Sequence, residues 1–182
     1  MEQITESYEL YFSDEMRYGL ISNFRRSWSL IGERTIIDTQ QSFENRYLFS
    51  AVSPLSGDSF HLTSIEGFDS AAAHIFLLEL KKQHPDTLVI VVWDNAPCHR
   101  PLEHRSIPGL IVLFLPPYSP ELNPAERFFG ELRKSTANQI FKTIEDQEIA
   151  IEKKLNQLAD DTEGMKRLLG YEWILKQCGV VN

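Results

Sequence analysis

The sequence predicts an α/β domain with a mixed central β-sheet flanked by α-helices. Two short apolar runs, Leu88 to Val92 and Gly109 to Pro116, read as buried strands of the parallel kind, because strands covered on both faces are continuously apolar. A helix-forming stretch from Ser70 to Gln83 precedes the first run, as a crossover connection requires. Upstream of it, segments mixing aromatic, aliphatic and polar residues read as antiparallel strands.

In chain order, Tyr8 to Ile21 (YELYFSDEMRYGLI) is a strand with Asp14 near its middle. Ser27 to Thr39, Arg46 to Ser53 and Ser59 to Ile65 are further extended segments. The last two are joined by SPLSGD, whose Pro54 and Gly57 are turn formers, so they form a hairpin. Ser70 to Gln83 has an alanine-rich start, an N-cap at Asp69 or Ser70, and a stop before Pro85. Leu88 to Trp93 is the next strand, and Asp94 falls at its carboxyl end, where ligand and catalytic groups of open α/β sheets collect. After the strand in Gly109 to Pro116, PPYSPELNP is a rigid loop, with prolines at 116, 117, 120 and 124 restricting φ and removing donors. A helix begins at Pro124 and runs through AERFFGELRKSTANQIF; Thr143 to Cys178 stays helical and amphipathic, with a break near Gly164. This order matches the ribonuclease H-like fold, one of the small set of mixed-sheet α/β architectures, which carries an acid within its first strand and another at the end of its fourth.

At 182 residues and 42% apolar content the chain is one domain of ordinary size with a real core, which excludes a disordered protein. No run approaches the roughly 18 apolar residues of a membrane span, and the first ten residues carry three glutamates where a secretory signal has a basic start. A cytoplasmic protein with no membrane partner is expected. Cys98 and Cys178 make neither a disulfide framework nor a metal-ligand spacing. The net charge of −8 argues at first against nucleic acid. Its distribution weakens that objection, because seven acids and two lysines fall between residues 144 and 163, leaving the rest of the chain at −3. A basic cluster, His99, Arg100, His104 and Arg105, follows Asp94 directly; it is either a solvated loop or a phosphate contact.

Three acids stand out by position: Asp14 inside a strand, Asp94 at a strand end, and Glu126 in the first turn of a helix. Each has an ordinary explanation, with Asp14 on an edge or paired with Arg17, Asp94 capping a loop, and Glu126 favouring a helix N-terminus. A buried, unpaired carboxylate costs several kcal/mol, on the order set by charge desolvation. Three carboxylates brought close would raise one another's pKa unless cations neutralised them. Hard divalent ions take such oxygen ligands and complete their shell with substrate phosphate, and a pair of them suits in-line phosphodiester displacement.

YFSDE around Asp14, RSWSLIG from Arg26 to Gly32, VVWDNAPCH around Asp94 and LPPYSPELNPAERFFGELR around Glu126 together resemble the catalytic core of mariner-type transposases, in the branch of bacterial insertion sequences. The resemblance covers about Tyr11 to Phe141. It implies a ribonuclease H-like fold and an aspartate-aspartate-glutamate triad of Asp14, Asp94 and Glu126 holding two magnesium or manganese ions. It also implies hydrolysis of a phosphodiester at each transposon end, followed by attack of the freed 3′-hydroxyl on target DNA, with no covalent protein intermediate. Asn95 and His99 match the family pattern and are expected to orient Asp94 or contact phosphate. Arg100, Arg105, Ser119 and Asn123 complete the expected substrate-binding set. Trp28 and Gly32 match as well, and the tryptophan is expected to pack. Glu15 should point to the opposite face from Asp14 and be structural.

Two departures stand beside the resemblance. Between Asp94 and Glu126 lie 31 residues, slightly fewer than is usual in that branch. The helix-turn-helix region that recognises transposon ends has no counterpart here, so it is expected upstream in a longer protein or in a separate upstream product. The expected organisation is a catalytic core over 1–141 and a helical C-terminal extension over 142–182, with a homodimer as the active complex because two ends must be brought together. The alternatives are an inactive or domesticated remnant serving DNA or protein interaction, and a stand-alone nuclease of the same fold.

Overall fold

The computed structural model describes residues 7–33, 36–64, 67, 69–96, 99 and 106–180. Its centre is a five-stranded mixed sheet of β1 (Tyr8–Ile21), β2 (Gln41–Val52), β3 (Ser59–Ser64), β4 (Leu88–Trp93) and β5 (Leu110–Phe114), in the spatial order β3-β2-β1-β4-β5. The β1–β2 and β2–β3 pairs are antiparallel, whereas β4 pairs in parallel with both β1 and β5. Helix α1 (Ser70–Gln83) makes the crossover and packs on one face; α2 (Ala125–Thr136), α3 (Ile144–Ala159), α4 (Thr162–Leu169) and α5 (Glu172–Gln177) pack on the other.

Strand alternation explains the two cores. Leu10, Phe12, Met16, Tyr18 and Leu20 of β1 join Phe128, Phe129 and Leu132 of α2, Ile151 of α3 and Leu169 of α4. Tyr11, on the opposite face, joins Phe76, Leu77 and Leu80 of α1 together with Val89, Val91 and Trp93 of β4. The last three helices therefore share the core of the sheet.

The crossover helix and β1 stand where the sequence puts them, the hairpin forms with its first strand starting at Gln41, five residues before the expected Arg46, and Asp69 caps α1 by accepting from the backbone N–H groups of Ala71 and Ala72. Other elements differ for identifiable reasons. Ser27 to Thr39 forms no strand among its described residues; the described residues between Ser22 and Gln40 are irregular, and a Ser22 N–H to Gln40 carbonyl bond of 3.1 Å joins the two ends of this arm. Trp28, expected to pack, stands fully exposed on that arm. The strand β5 is apolar but not buried on both faces, because it is the sheet edge and leaves Ile111 and Leu113 about half exposed. Similarly, β4 alternates between buried and half-buried residues. Helix α2 ends at Thr136, not Phe141: Asn138 takes a left-handed φ of 58°, and its side chain is bonded to both backbone groups of Arg25.

The break expected near Gly164 lies instead at Asp160–Asp161. Gly164 sits in the first turn of α4, where a Cβ would come within 2.0 Å of the Asp161 carboxylate that caps the helix. The acidity of this region is largely helix-start and ion-pair chemistry. Asp146 completes a capping box with Thr143, Asp161 caps α4, and Glu145 and Glu148 pair with Arg46 of β2.

His61 of β3 lies flat against Phe128 of α2, with ring centroids 5.2 Å apart, and its ring nitrogens face the hydroxyls of Ser50 and Ser59. Burial pushes its pKa down to about 4. An unfolded histidine binds its proton near pH 6.5, so stability from the neutral ring is complete above that pH and is lost as pH falls toward 4. Substituting His61→Gln should flatten the acid limb of the stability curve between pH 6.5 and 4, measured by urea unfolding, by on the order of 2 kcal/mol. An unchanged slope would remove His61 from that role.

Candidate active site

The parallel ladder pairs Tyr8 with Leu88 and continues residue for residue to Phe12 with Val92. Carried two positions further, the same register brings Asp14 alongside Asp94 at the carboxyl end of β4. Asp14 is not on an edge, since β1 lies between β2 and β4, and no ion pair joins it to Arg17 or another basic side chain among the described residues. By alternation it shares the face of Phe12 and Met16, toward α2.

Glu126 is delivered from across the cleft by the proline loop. Pro120–Leu122 forms one 3-10 turn, and Asn123 then ties the loop to the sheet: its side-chain amide donates to the Ser13 carbonyl at 3.0 Å, and its side-chain oxygen accepts from the Ala125 N–H at 3.0 Å. These bonds join the start of α2 to the residue before Asp14. In the first turn of α2 Glu126 also benefits from the helix's free N–H groups, and Arg133 stands 3.6 Å from it, one to two turns on.

Asp14, Asp94, Asn95, Ser119, Asn123 and Glu126 all line one cleft of about 570 Å³. Asn123 contributes through its tether and is itself buried, which leaves it less free for a substrate than the sequence suggested. Arg100 and Arg105 lie outside the described residues. The rim holds Tyr118, fully exposed and at a left-handed φ of 60°, a conformation uncommon for a bulky residue. Sequence reasoning passed over it, because an isolated aromatic in a loop carries no pattern of its own; Glu15 it placed on the face opposite Asp14, as a structural residue.

The electrostatics of the acids differ. Burial, then the neighbouring Glu15, Glu126 and Asp94 carboxylates, push the Asp14 pKa up to about 7, against the opposing N–H of Glu15, which donates to its Oδ1 at 2.8 Å. Burial would raise Asp94 too, but His99 Nδ1 at 2.5 Å and the Ala96 N–H at 3.2 Å hold it below the usual carboxylate range. Burial disfavours the His99 cation, yet Asp94 on one side and Glu15 on the other raise its pKa to about 9. Among the described residues no three ligating side chains converge on a single point; the acids line the walls of an open cleft. The donor set, all oxygen and short of positive charge around Asp14, fits hard divalent cations.

The sheet order, with an acid-lined cleft beside the middle of β1 and the carboxyl end of β4, is that of a ribonuclease H-like core. The chain belongs to the DDE superfamily endonuclease family, whose sequence model matches residues 9–148. An uncharacterized Sinorhizobium fredii protein, y4pE/y4sA, is 31% identical over 102 residues, covering 55% of this chain and 75% of that protein. Among solved structures, the Mos1 strand transfer complex superposes with a TM-score of 0.63 at 21% identity, over 89% of this chain and 50% of that one. The Mos1 paired end complex with Mg gives 0.60 at 22% identity, over 89% and 51%. A simian T-cell lymphotropic virus intasome gives 0.52 at 16% identity, over 83% and 49%. This chain thus spans about half the length of the Mos1 chains it matches.

Without a cation, the Asp14 carboxyl gains its proton near pH 7 in the fold but near pH 4 in an unfolded chain. Stability from the neutral form is therefore complete below pH about 4 and is lost as pH rises through 7. In the presence of a chelator, Asp14→Asn should unfold at higher urea concentration than the wild type at pH 8, with the two curves meeting near pH 4. A wild type equally stable at pH 8 would contradict the crowding of acids at this position.

Proposed function

We propose that the chain is the catalytic domain of a transposase, hydrolysing phosphodiesters at transposon ends and joining the freed 3′-hydroxyl to target DNA. The observation that carries this reading is the single cleft lined by Asp14, Asp94 and Glu126. Membership of the DDE endonuclease family and a fold shared with Mos1 complexes support it. The acids are assigned as ligands of two magnesium or manganese ions, in keeping with Mos1 structures described with Mg and with Mn. Residues 1–141 form the catalytic core, and 142–182 a helical extension packed upon it.

When bound, the cations supply activation of the attacking oxygen and stabilisation of the leaving oxygen. The chain's own residues prepare that chemistry. Asp14, raised in pKa by burial and its neighbours, would hold a cation in its ionised form, which neutral or higher pH favours. Asp94 is held ionised by His99, and the Asn123 tether sets Glu126 across from Asp14. Asn95 and Ser119 on the cleft wall, with Arg100 and Arg105, are assigned to substrate phosphate and sugar. The nucleophile is water for hydrolysis and the DNA 3′-hydroxyl for joining, so no side chain is covalently altered. A homodimer holds two DNA ends, and recognition of those ends belongs to a region or product beyond the residues seen here.

Manganese titration calorimetry tests the ligand assignment. The wild type should bind, and Asp14→Ala, Asp94→Ala and Glu126→Ala, shown to be folded by circular dichroism, should each lose affinity or stoichiometry. Unchanged binding in any of the three removes that acid from the site. Activity is tested separately with DNA bearing the element's ends and the end-recognition region supplied. Asp94→Asn keeps the side chain's size but not its charge, so cleavage should fall by at least about 100-fold, on the scale of losing more than 2.7 kcal/mol of transition-state stabilisation. Full activity in that variant would sink the mechanism.

A further inference from the structure

Glu15 points away from the cleft, yet its side chain is only 9% exposed, and burying a carboxylate is costly unless something answers its charge. What answers it is His99. The His99 Nε2 lies 3.2 Å from Glu15 Oε1, an ion-pair contact off the hydrogen-bonding line, while Nδ1 lies 2.5 Å from Asp94 Oδ1. The imidazole is fully buried and its plane is held against the Trp93 ring, with centroids 4.5 Å apart. Trp93 is itself the residue before Asp94, so the ring that supports His99 and the carboxylate that His99 grips are adjacent on β4.

A continuous line of side chains thus runs from the α1 face of the sheet to the cleft: Glu15, His99, Asp94. We propose that Glu15 is a positioning residue that acts on Asp94 through His99. With a carboxylate facing each nitrogen, the ring is oriented from both sides, and Nδ1 fixes the Asp94 carboxylate that lines the cleft. Groups that hydrogen-bond a ligating carboxylate set its rotamer, and their loss typically weakens metal binding by about 10- to 100-fold. The strand provides the coupling at no extra cost in chain length. Asp14 and Glu15 are consecutive, so one short segment of β1 supplies a cleft acid on one face and the anchor of another cleft acid on the other face.

The inference rests on reading Asp94 as a cation ligand, and the experiment separates the two. Manganese affinity is measured by calorimetry for the wild type, Glu15→Leu, Glu15→Gln, His99→Asn and the Glu15→Leu/His99→Asn double variant, each with a thermal melt to establish folding. Glu15→Leu should bind about tenfold more weakly, whereas Glu15→Gln, whose amide oxygen still faces Nε2, should stay within about threefold of the wild type. In the His99→Asn background Glu15→Leu should add less than about twofold, because its path to Asp94 has gone. If Glu15→Leu does not fold, Glu15→Thr, a strand former without the carboxylate, takes its place. Wild-type affinity in the folded Glu15→Leu or Glu15→Thr protein overturns the proposal, as does a full effect in the absence of His99 or an equal loss in Glu15→Gln. A wild type that binds no manganese would instead overturn the ligand reading of Asp94, and the positioning role with it.

Discussion

The parallel pairing of β1 with β4 is the constraint on which the site depends. Both strands bury residues on both sides, with Phe12 and Met16 against α2 and its neighbours, and Tyr11, Val89 and Val91 against α1. Slipping either strand by one residue would turn each apolar set to the wrong core, so the register is strongly specified. That register also brings Asp14 beside Asp94. Two hydrophobic cores, each indifferent to chemistry, thereby hold two carboxylates together against their mutual repulsion.

The third acid arrives by a different physical route. No ladder reaches Glu126; it depends on prolines that stiffen the loop and on one buried amide, Asn123, bonded to β1 and to α2 at once. Each buried bond of this kind contributes about 1 kcal/mol net, but leaving its partners unmatched costs more. Asp94 has His99 and Glu126 has Arg133 beside it, but Asp14 has no basic partner among the described residues: it is destabilised as an anion in the fold, and the cost is met by the packing around it.

Most of the fold was legible in the sequence, because β1, α1, β4 and the hairpin each carry a strong local signal: period-two patterning, a cap followed by alanines, a continuous apolar run, a proline-glycine turn. What escaped was set by position in the assembled sheet. Gly109 to Pro116 shows the same apolar run as β4, and only the strand order reveals it as an edge. The end of α2 depends on Asn138 reaching Arg25, more than a hundred residues away, and the arm holding Trp28 has strand-forming residues with no strand paired to it among the described residues. At the site, the acids were legible from a strand interior, a strand end and a helix start. The roles of Asn123 and Glu15 were not, since a tether and an anchor are defined by partners distant in sequence.

The Asn123 tether bears on what the spacing of the acids means. Because the approach of Glu126 to Asp14 is set by bonds across the cleft and not by the length of chain between them, the segment from Asp94 to Glu126 is relieved of any metric duty toward the cleft acids. The 31 residues between Asp94 and Glu126 include the edge strand β5, and the distance between the two acids does not hang on their number. Their separation along the chain is one quantity and their separation in the cleft another, fixed in this protein by the cross-link from the start of α2 to β1.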